Sequence, residues 1–232
     1  IMKKIRSFFE DLVSLFYPNS CGICGKNLLK DEDTVCILCL YKIPKTNCFK
    51  KKENSVSQIF WGRVQIENAA ALYQFHKEGS IQKLIYQLKY EDGKSTGIFL
   101  GKQIGYAIKE SPFFCNLDYI IPVPLHPKKE KLRGYNQSKY IVKGIQEIIN
   151  IEVNTELLIR TENTDSQTRK KRFSRWENMM NSFRLKQTDQ LQNKHILLVD
   201  DVVTTGATLE ACAQKLLAVK GVKVSIITIA VV

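Results

Sequence analysis

Four apolar runs constrain the fold more than any other feature of this chain: Ala69 to Phe75, Tyr119 to Val123, His195 to Val199 and Val222 to Ile229. Each is rich in Val, Ile, Leu or Ala and lacks the polar alternation of a strand with one wet face, so each reads as a strand buried on both sides. Between them lie segments with helical spacing: Ile81 to Leu88, Ile98 to Ile108, Ser138 to Ile149 and Thr208 to Val219. Strands buried on both faces and alternating with helices predict an α/β unit around a mainly parallel sheet. The 232 residues, 44% hydrophobic and 25% charged, have ordinary globular composition, which excludes wholesale disorder and a disulfide-saturated miniprotein.

Two further segments stand outside this alternation. Ile5, Phe8, Phe9, Leu12, Leu15 and Phe16 repeat at helical spacing and predict a short amphipathic helix that Pro18 ends. Glu10 and Asp11 interrupt its apolar run, so it does not read as a signal peptide, and no stretch approaches the ~18 apolar residues of a membrane span. A cytoplasmic protein is the expectation. Next, Cys21-Gly-Ile-Cys24 and Cys36-Ile-Leu-Cys39 form two knuckles 11 residues apart. Four thiolates at this spacing suit a tetrahedral Zn²⁺ and leave no open position for a catalytic water, so the site reads as structural. Cys48, Cys115 and Cys212 have no comparable partner and read as packing residues; the Lys/Asn/Ser-rich stretch from Phe49 to Ser57 reads as a linker.

The most informative segment is His195 to Thr208. A buried strand is expected to end at Asp200 and Asp201, after which Thr204, Thr205, Gly206, Ala207 and Thr208 open a helix. Successive backbone N–H groups and hydroxyls at a helix N-terminus suit a phosphate. Two carboxylates beside that cup suit the vicinal hydroxyls of a sugar or a hydrated cation. A sugar phosphate is the ligand class that needs both. Pro122, Pro124 and Pro127 then stiffen a turn that delivers Lys128, Lys129, Lys131 and Arg133, and a second basic cluster runs from Gln167 to Arg175. With 35 Lys and Arg against 23 Asp and Glu, the net charge of +12 favours anionic partners without choosing among them.

The strand, acid pair and Thr-Thr-Gly-x-Thr turn resemble the phosphoribosyl-pyrophosphate motif of type I phosphoribosyltransferases. Leu84-Ile-x-x-Leu-Lys-Tyr90, Pro122-Val-Pro-Leu125, Arg133-Gly-Tyr-Asn-Gln137, the knuckles, and Gln167, Arg175, Asn178 and Phe183 narrow the resemblance to the ComF family; Lys170 stands where that family usually has a hydrophobic residue. The resemblance implies a type I phosphoribosyltransferase fold, a doubly wound, mainly parallel sheet, preceded by a small zinc-ribbon-like double-knuckle domain. The expected divisions are an N-terminal helix over 1–20, the finger over 21–50 and the phosphoribosyltransferase-like domain over 58–232. It also implies that Asp200 and Asp201 hold the ribose hydroxyls, that Thr204 to Thr208 wrap the 5′-phosphate, and that Mg²⁺ accompanies phosphoribosyl pyrophosphate. Lys89, Arg133 and Arg175 are the candidates to stabilise a leaving pyrophosphate. ComF membership implies a part in DNA uptake or utilization, with single-stranded DNA and competence proteins such as a helicase as partners; the alternative is an active phosphoribosyltransferase of nucleotide or nucleobase metabolism. Tyr90, Tyr135, Phe173 and Trp176 lie beside basic residues and are candidates to stack on bases.

Overall fold

The computed structural model describes residues 19–91, 93–161 and 182–232. The N-terminal helix expected over 1–20 and the basic cluster from Gln167 to Arg175, with Asn178, lie outside the described residues apart from Asn19 and Ser20.

Five parallel strands form the sheet: β1 (Asn68–Gln74), β2 (Tyr119–Pro122), β3 (Glu152–Val153), β6 (His195–Val203) and β7 (Lys223–Val231). Their order is β1-β7-β6-β2-β3, which sets the longest strands, β6 and β7, inside. A separate antiparallel ribbon pairs β4 (Leu158–Arg160) with β5 (Phe183–Leu185). The apolar runs thus form the parallel strands the sequence predicts, and Ile196 to Val199, Ile226, Ile227 and Ile229 are fully buried.

One strand departs from expectation. β6 does not end at Asp200 but continues to Val203, with Asp200 in register with Thr228 and Val203 with Val231. Backbone pairing to β7 overrides the poor strand propensity of the two acids. The strand therefore carries Asp200 and Asp201 on a rigid support.

The helices follow their apolar spacing. Helix α3 (Ser80–Tyr90) buries Ile81, Leu84, Ile85 and Leu88, an i, i+3, i+4, i+7 stripe. Helix α4 (Lys94–Glu110) packs on α6 (Gln137–Gln146) at very short range. A Cβ at Gly101 would lie 2.0 Å from the Ile141 carbonyl oxygen, and one at Gly144 would lie 2.0 Å from that of Ile98. Only glycine permits this approach.

The stretch read as a linker is ordered. It contains a 3-10 turn at Cys48–Lys50 and a short helix, α2 (Ser55–Gln58), whose capping box is built on Asn54 and Ser57. Phe49 and Val56 are buried in the same hydrophobic core as the sheet, because a chain running along the outer side of β1 has apolar surface to cover. Lys45 bridges Tyr73, the Thr46 N–H donates to the Leu72 carbonyl at 3.0 Å, and the Gln74 N–H donates to the Pro44 carbonyl at 2.9 Å.

Candidate functional site

In the finger, Ser20 and Asn27 form an antiparallel bridge that closes the first knuckle, with the Cys21 N–H on the Lys26 carbonyl at 2.8 Å. The second knuckle opens helix α1 (Ile37–Lys42), and Glu32 accepts from the N–H groups of Leu29 and Ile37, each at 2.8 Å. All four sulfurs lie within 4.8 Å of one another, and those of Cys24 and Cys36 are 3.9 Å apart. A tetrahedral Zn²⁺ with ~2.3 Å bonds needs sulfurs about 3.8 Å apart, so the donor set fits a metal such as zinc. The environment of the thiols is uneven. Burial opposes ionisation of Cys21, yet the N–H groups of Cys24, Cys36 and Ile23 bring it down to about 6, whereas burial and the neighbouring thiols push Cys39 up to about 12. The finger docks on α3 through Lys83, which donates to the Ile23 carbonyl at 3.1 Å, and Gln87, which donates to that of Gly22 at 3.2 Å.

The second constellation gathers at the C-terminal edge of the parallel sheet, where ligands of open α/β sheets bind. The Asp200 carboxylate accepts from the Ser138 hydroxyl at 3.0 Å and from the Asp201 N–H at 2.9 Å. Burial, then the charge of Asp201, pushes Asp200 up to about 7, against the pull of those hydrogen bonds and of Lys89. Asp201 points its other way, to an ion pair with Lys89 at 3.0 Å. Lys89 reaches it from the last turn of α3.

Arg133 ends the short helix α5 (Pro127–Arg133), which His126 caps at its start and Gly134, at φ 77°, closes. Its guanidinium donates to Gln137 Oε1 at 2.9 Å and lies 5.5 Å over the ring of Tyr90, the residue after Lys89. The proline-stiffened segment is therefore a capped helix rather than an open turn. Asn136 caps α6 by accepting from the Ser138 N–H and ties to β2 through the Val123 carbonyl, fixing Ser138 opposite Asp200.

Beyond β6, Thr204 and Thr205 are exposed, Gly206 is buried at φ 73°, and α7 (Ala207–Leu217) begins. A Cβ at Gly206 would stand 2.8 Å from Ile59 Cγ2 and 3.0 Å from Phe60 Cε1, in addition to the strain of the left-handed conformation. Sequence reasoning missed what backs this turn. Arg63 donates to the carbonyls of Thr205 at 2.7 Å and Ile59 at 3.0 Å and is paired with the buried Glu210. Nothing in the spacing of Arg63 and Glu210, 147 positions apart, signals that pair. Ser138 was likewise legible only as part of a helix.

The structure thus brings Lys89 together with Asp201 and sets Arg133 against Tyr90, while Arg175 lies outside the described residues. Tyr135 is not open to a base: it is buried, donates to the Leu88 carbonyl at 2.6 Å and packs edge-on to Tyr140. A hydroxyl with a backbone acceptor in reach draws the ring inward. Tyr90 is 60% exposed and pairs with Tyr86 at 5.0 Å; Phe173 and Trp176 lie outside the described residues. Cys48 and Cys212 are buried as expected of packing residues, but Cys115 is exposed.

Residues 138–232 match the phosphoribosyl transferase domain family. The chain is 31% identical over 140 residues to the DNA utilization protein YhgH of Shigella flexneri, covering 59% of this chain and 61% of that protein. It is 26% identical over 203 residues to competence protein F of Haemophilus influenzae, covering 84% and 77%. The chain is similar to proteins of the ComF family. Its fold is that of the type I phosphoribosyltransferases, with the four-cysteine finger ahead of it. The match to the YhgH relatives spans about three fifths of their length. A hypoxanthine phosphoribosyltransferase of Staphylococcus aureus is similar at 13% identity and a TM-score of 0.35, covering 58% of this chain and 62% of that one. Among the described residues, no helix is long and apolar enough to cross a membrane.

Proposed function

We propose that this ComF-like chain binds phosphoribosyl pyrophosphate, as its Mg²⁺ chelate, and uses that site in the handling of DNA. The observation that carries the reading is the acid pair near the C-terminal end of β6, directed by Ser138 and Lys89 and followed within three residues by the Thr204–Thr208 turn. Asp200 and Asp201 accept hydrogen bonds from the ribose hydroxyls and from waters of the cation. The first amides of α7, which have no intrahelical acceptor, and the threonine hydroxyls receive the 5′-phosphate. Lys89 and Arg133 would supply fixed positive charge beside the pyrophosphate, and a Mg²⁺ held near Asp200 and Asp201 would supply further charge neutralisation there. Calorimetry tests the proposal: phosphoribosyl pyrophosphate should bind with Mg²⁺ and lose most of its affinity when Mg²⁺ is omitted, and absence of binding in both would reject it.

The names of the relatives support a role in DNA utilization, and the charge of +12 supports direct contact with single strands. Lys128, Lys129 and Lys131 on α5 are exposed beside the half-buried Arg133, and Tyr90, 60% exposed, lies against that arginine. At about −0.7 per neutralised phosphate, a site contacting about five phosphates should give a slope of log affinity against log salt near −3.5. Replacing the three lysines with Gln is expected to flatten that slope, and Tyr90→Ala to lose about 1–3 kcal/mol of binding. A dissociation constant weaker than about 10⁻⁴ M at physiological salt would end the nucleic-acid reading.

A second reading, transfer of the phosphoribosyl group with release of pyrophosphate, is favoured by the pairing of Lys89 with Asp201 at 3.0 Å, which holds a cation beside the ribose acids. Pyrophosphate release in the presence of candidate acceptors distinguishes it from binding alone.

A further inference from the structure

We infer that Arg63 is the positioning residue of the phosphate turn, setting the direction of its amides from behind without touching the ligand; this rests on the proposed sugar-phosphate reading. The guanidinium is already engaged. One terminal nitrogen donates to the Thr205 carbonyl at 2.7 Å and the Ile59 carbonyl at 3.0 Å, and the other pairs with Glu210, whose side chain is 4% exposed. Its charge is directed at Glu210 rather than toward an incoming anion.

The geometric consequence follows from the peptide plane. In a trans peptide the carbonyl and the next N–H point in opposite directions. Arg63 draws the Thr205 carbonyl to the rear, so the Gly206 N–H is aimed forward, into the turn. Ile59 and Phe60 close the space behind Gly206, and Gly206 in turn accepts the first helical bond of α7, from the Glu210 N–H at 2.8 Å. Glu210 therefore anchors Arg63 by its side chain and the turn by its backbone. A cup whose dipoles are fixed before the anion arrives needs no reorganisation to bind it.

Lysine separates the two roles of Arg63. Its ammonium can still pair with Glu210, but it lacks the second terminal nitrogen that holds the Thr205 and Ile59 carbonyls at the same time. R63K is expected to melt within a few degrees of the wild type while binding ribose 5-phosphate about tenfold more weakly by calorimetry. The double variant R63Q/E210Q, which leaves no buried unpaired charge, should show the same loss of affinity.

A second readout needs no ligand. In the free protein, NMR order parameters of the Gly206 and Ala207 amides should fall from about 0.85 to below about 0.6 in R63K, with the amides of β6 unchanged. If R63K and R63Q/E210Q bind as the wild type does and the turn stays rigid, Arg63 is only a stabilising residue and the inference is wrong. If wild-type protein fails to bind ribose 5-phosphate, the sugar-phosphate reading fails, and the order parameters alone decide whether Arg63 holds the turn.

Discussion

Asn at both 200 and 201 is expected to abolish binding of phosphoribosyl pyrophosphate, and Asp200→Asn alone is expected to make the protein more stable above pH 7. The two effects have one origin. Asp200 is held up to about 7 by burial and by the charge of Asp201, while in the unfolded chain it titrates near the ordinary value of about 3.9. A raised carboxyl contributes stability that is complete below the unfolded value and is lost as pH rises through the folded one. At pH 8 the folded wild type carries a half-buried carboxylate next to another; Asn keeps the shape and removes the charge. Thermal unfolding without ligand should show Asp200→Asn above the wild type by roughly 5 °C at pH 8, a gap that narrows toward pH 5 and closes near pH 4. Equal midpoints at pH 8 would mean that Asp200 is not strained. Unchanged affinity in the double variant would remove the strand-end acids from ribose recognition, since each lost charged hydrogen bond costs about 1.5–3 kcal/mol.

Removing the metal should have the largest effect on stability. Purified protein is expected to carry about one equivalent of zinc on Cys21, Cys24, Cys36 and Cys39, measured by elemental analysis; less than about a tenth of an equivalent, in protein prepared without chelator or oxidant, would dismiss the site. Cys36→Ser, or a strong chelator, should unfold the knuckles, which otherwise have a short helix, a few hydrogen bonds and a handful of core side chains to hold them. The damage should extend further than the knuckles. Cys21, Val35, Ile43 and Phe49 belong to the same core as β1, so hydrogen exchange at Leu72 to Gln74 should accelerate along with that of the finger. Protection of β1 left unchanged in Cys36→Ser would show that the two parts are energetically separate.

The sheet was legible because strands buried on both faces announce themselves by composition, and the helices because α3 and α4 carry unbroken apolar stripes. The acids and the threonine turn were legible because their chemistry is contiguous in the chain. What sequence reading lost was whatever depends on two distant segments meeting. The extension of β6 through Asp200 is enforced by pairing with β7, the inward turn of Tyr135 by the carbonyl of Leu88, and the order of the supposed linker by β1. Arg63 and Glu210 are the clearest case: each looks like a surface charge in its own neighbourhood, and only the fold makes them a pair.

The chain at Pro44 to Thr46 has a consequence for how this protein fails. β1 is the last strand on its side of the sheet, and the outer backbone groups of Leu72 and Gln74 are taken by Thr46 and Pro44. An edge strand left open is a template for another chain, all the more when it reads Ala-Ala-Ala-Leu-Tyr. Three residues that follow the metal knuckles therefore act as a guard against self-association. Oxidation of the thiols should make the protein aggregate while the C-terminal edge of the sheet, with Asp200 and Asp201, still keeps its shape.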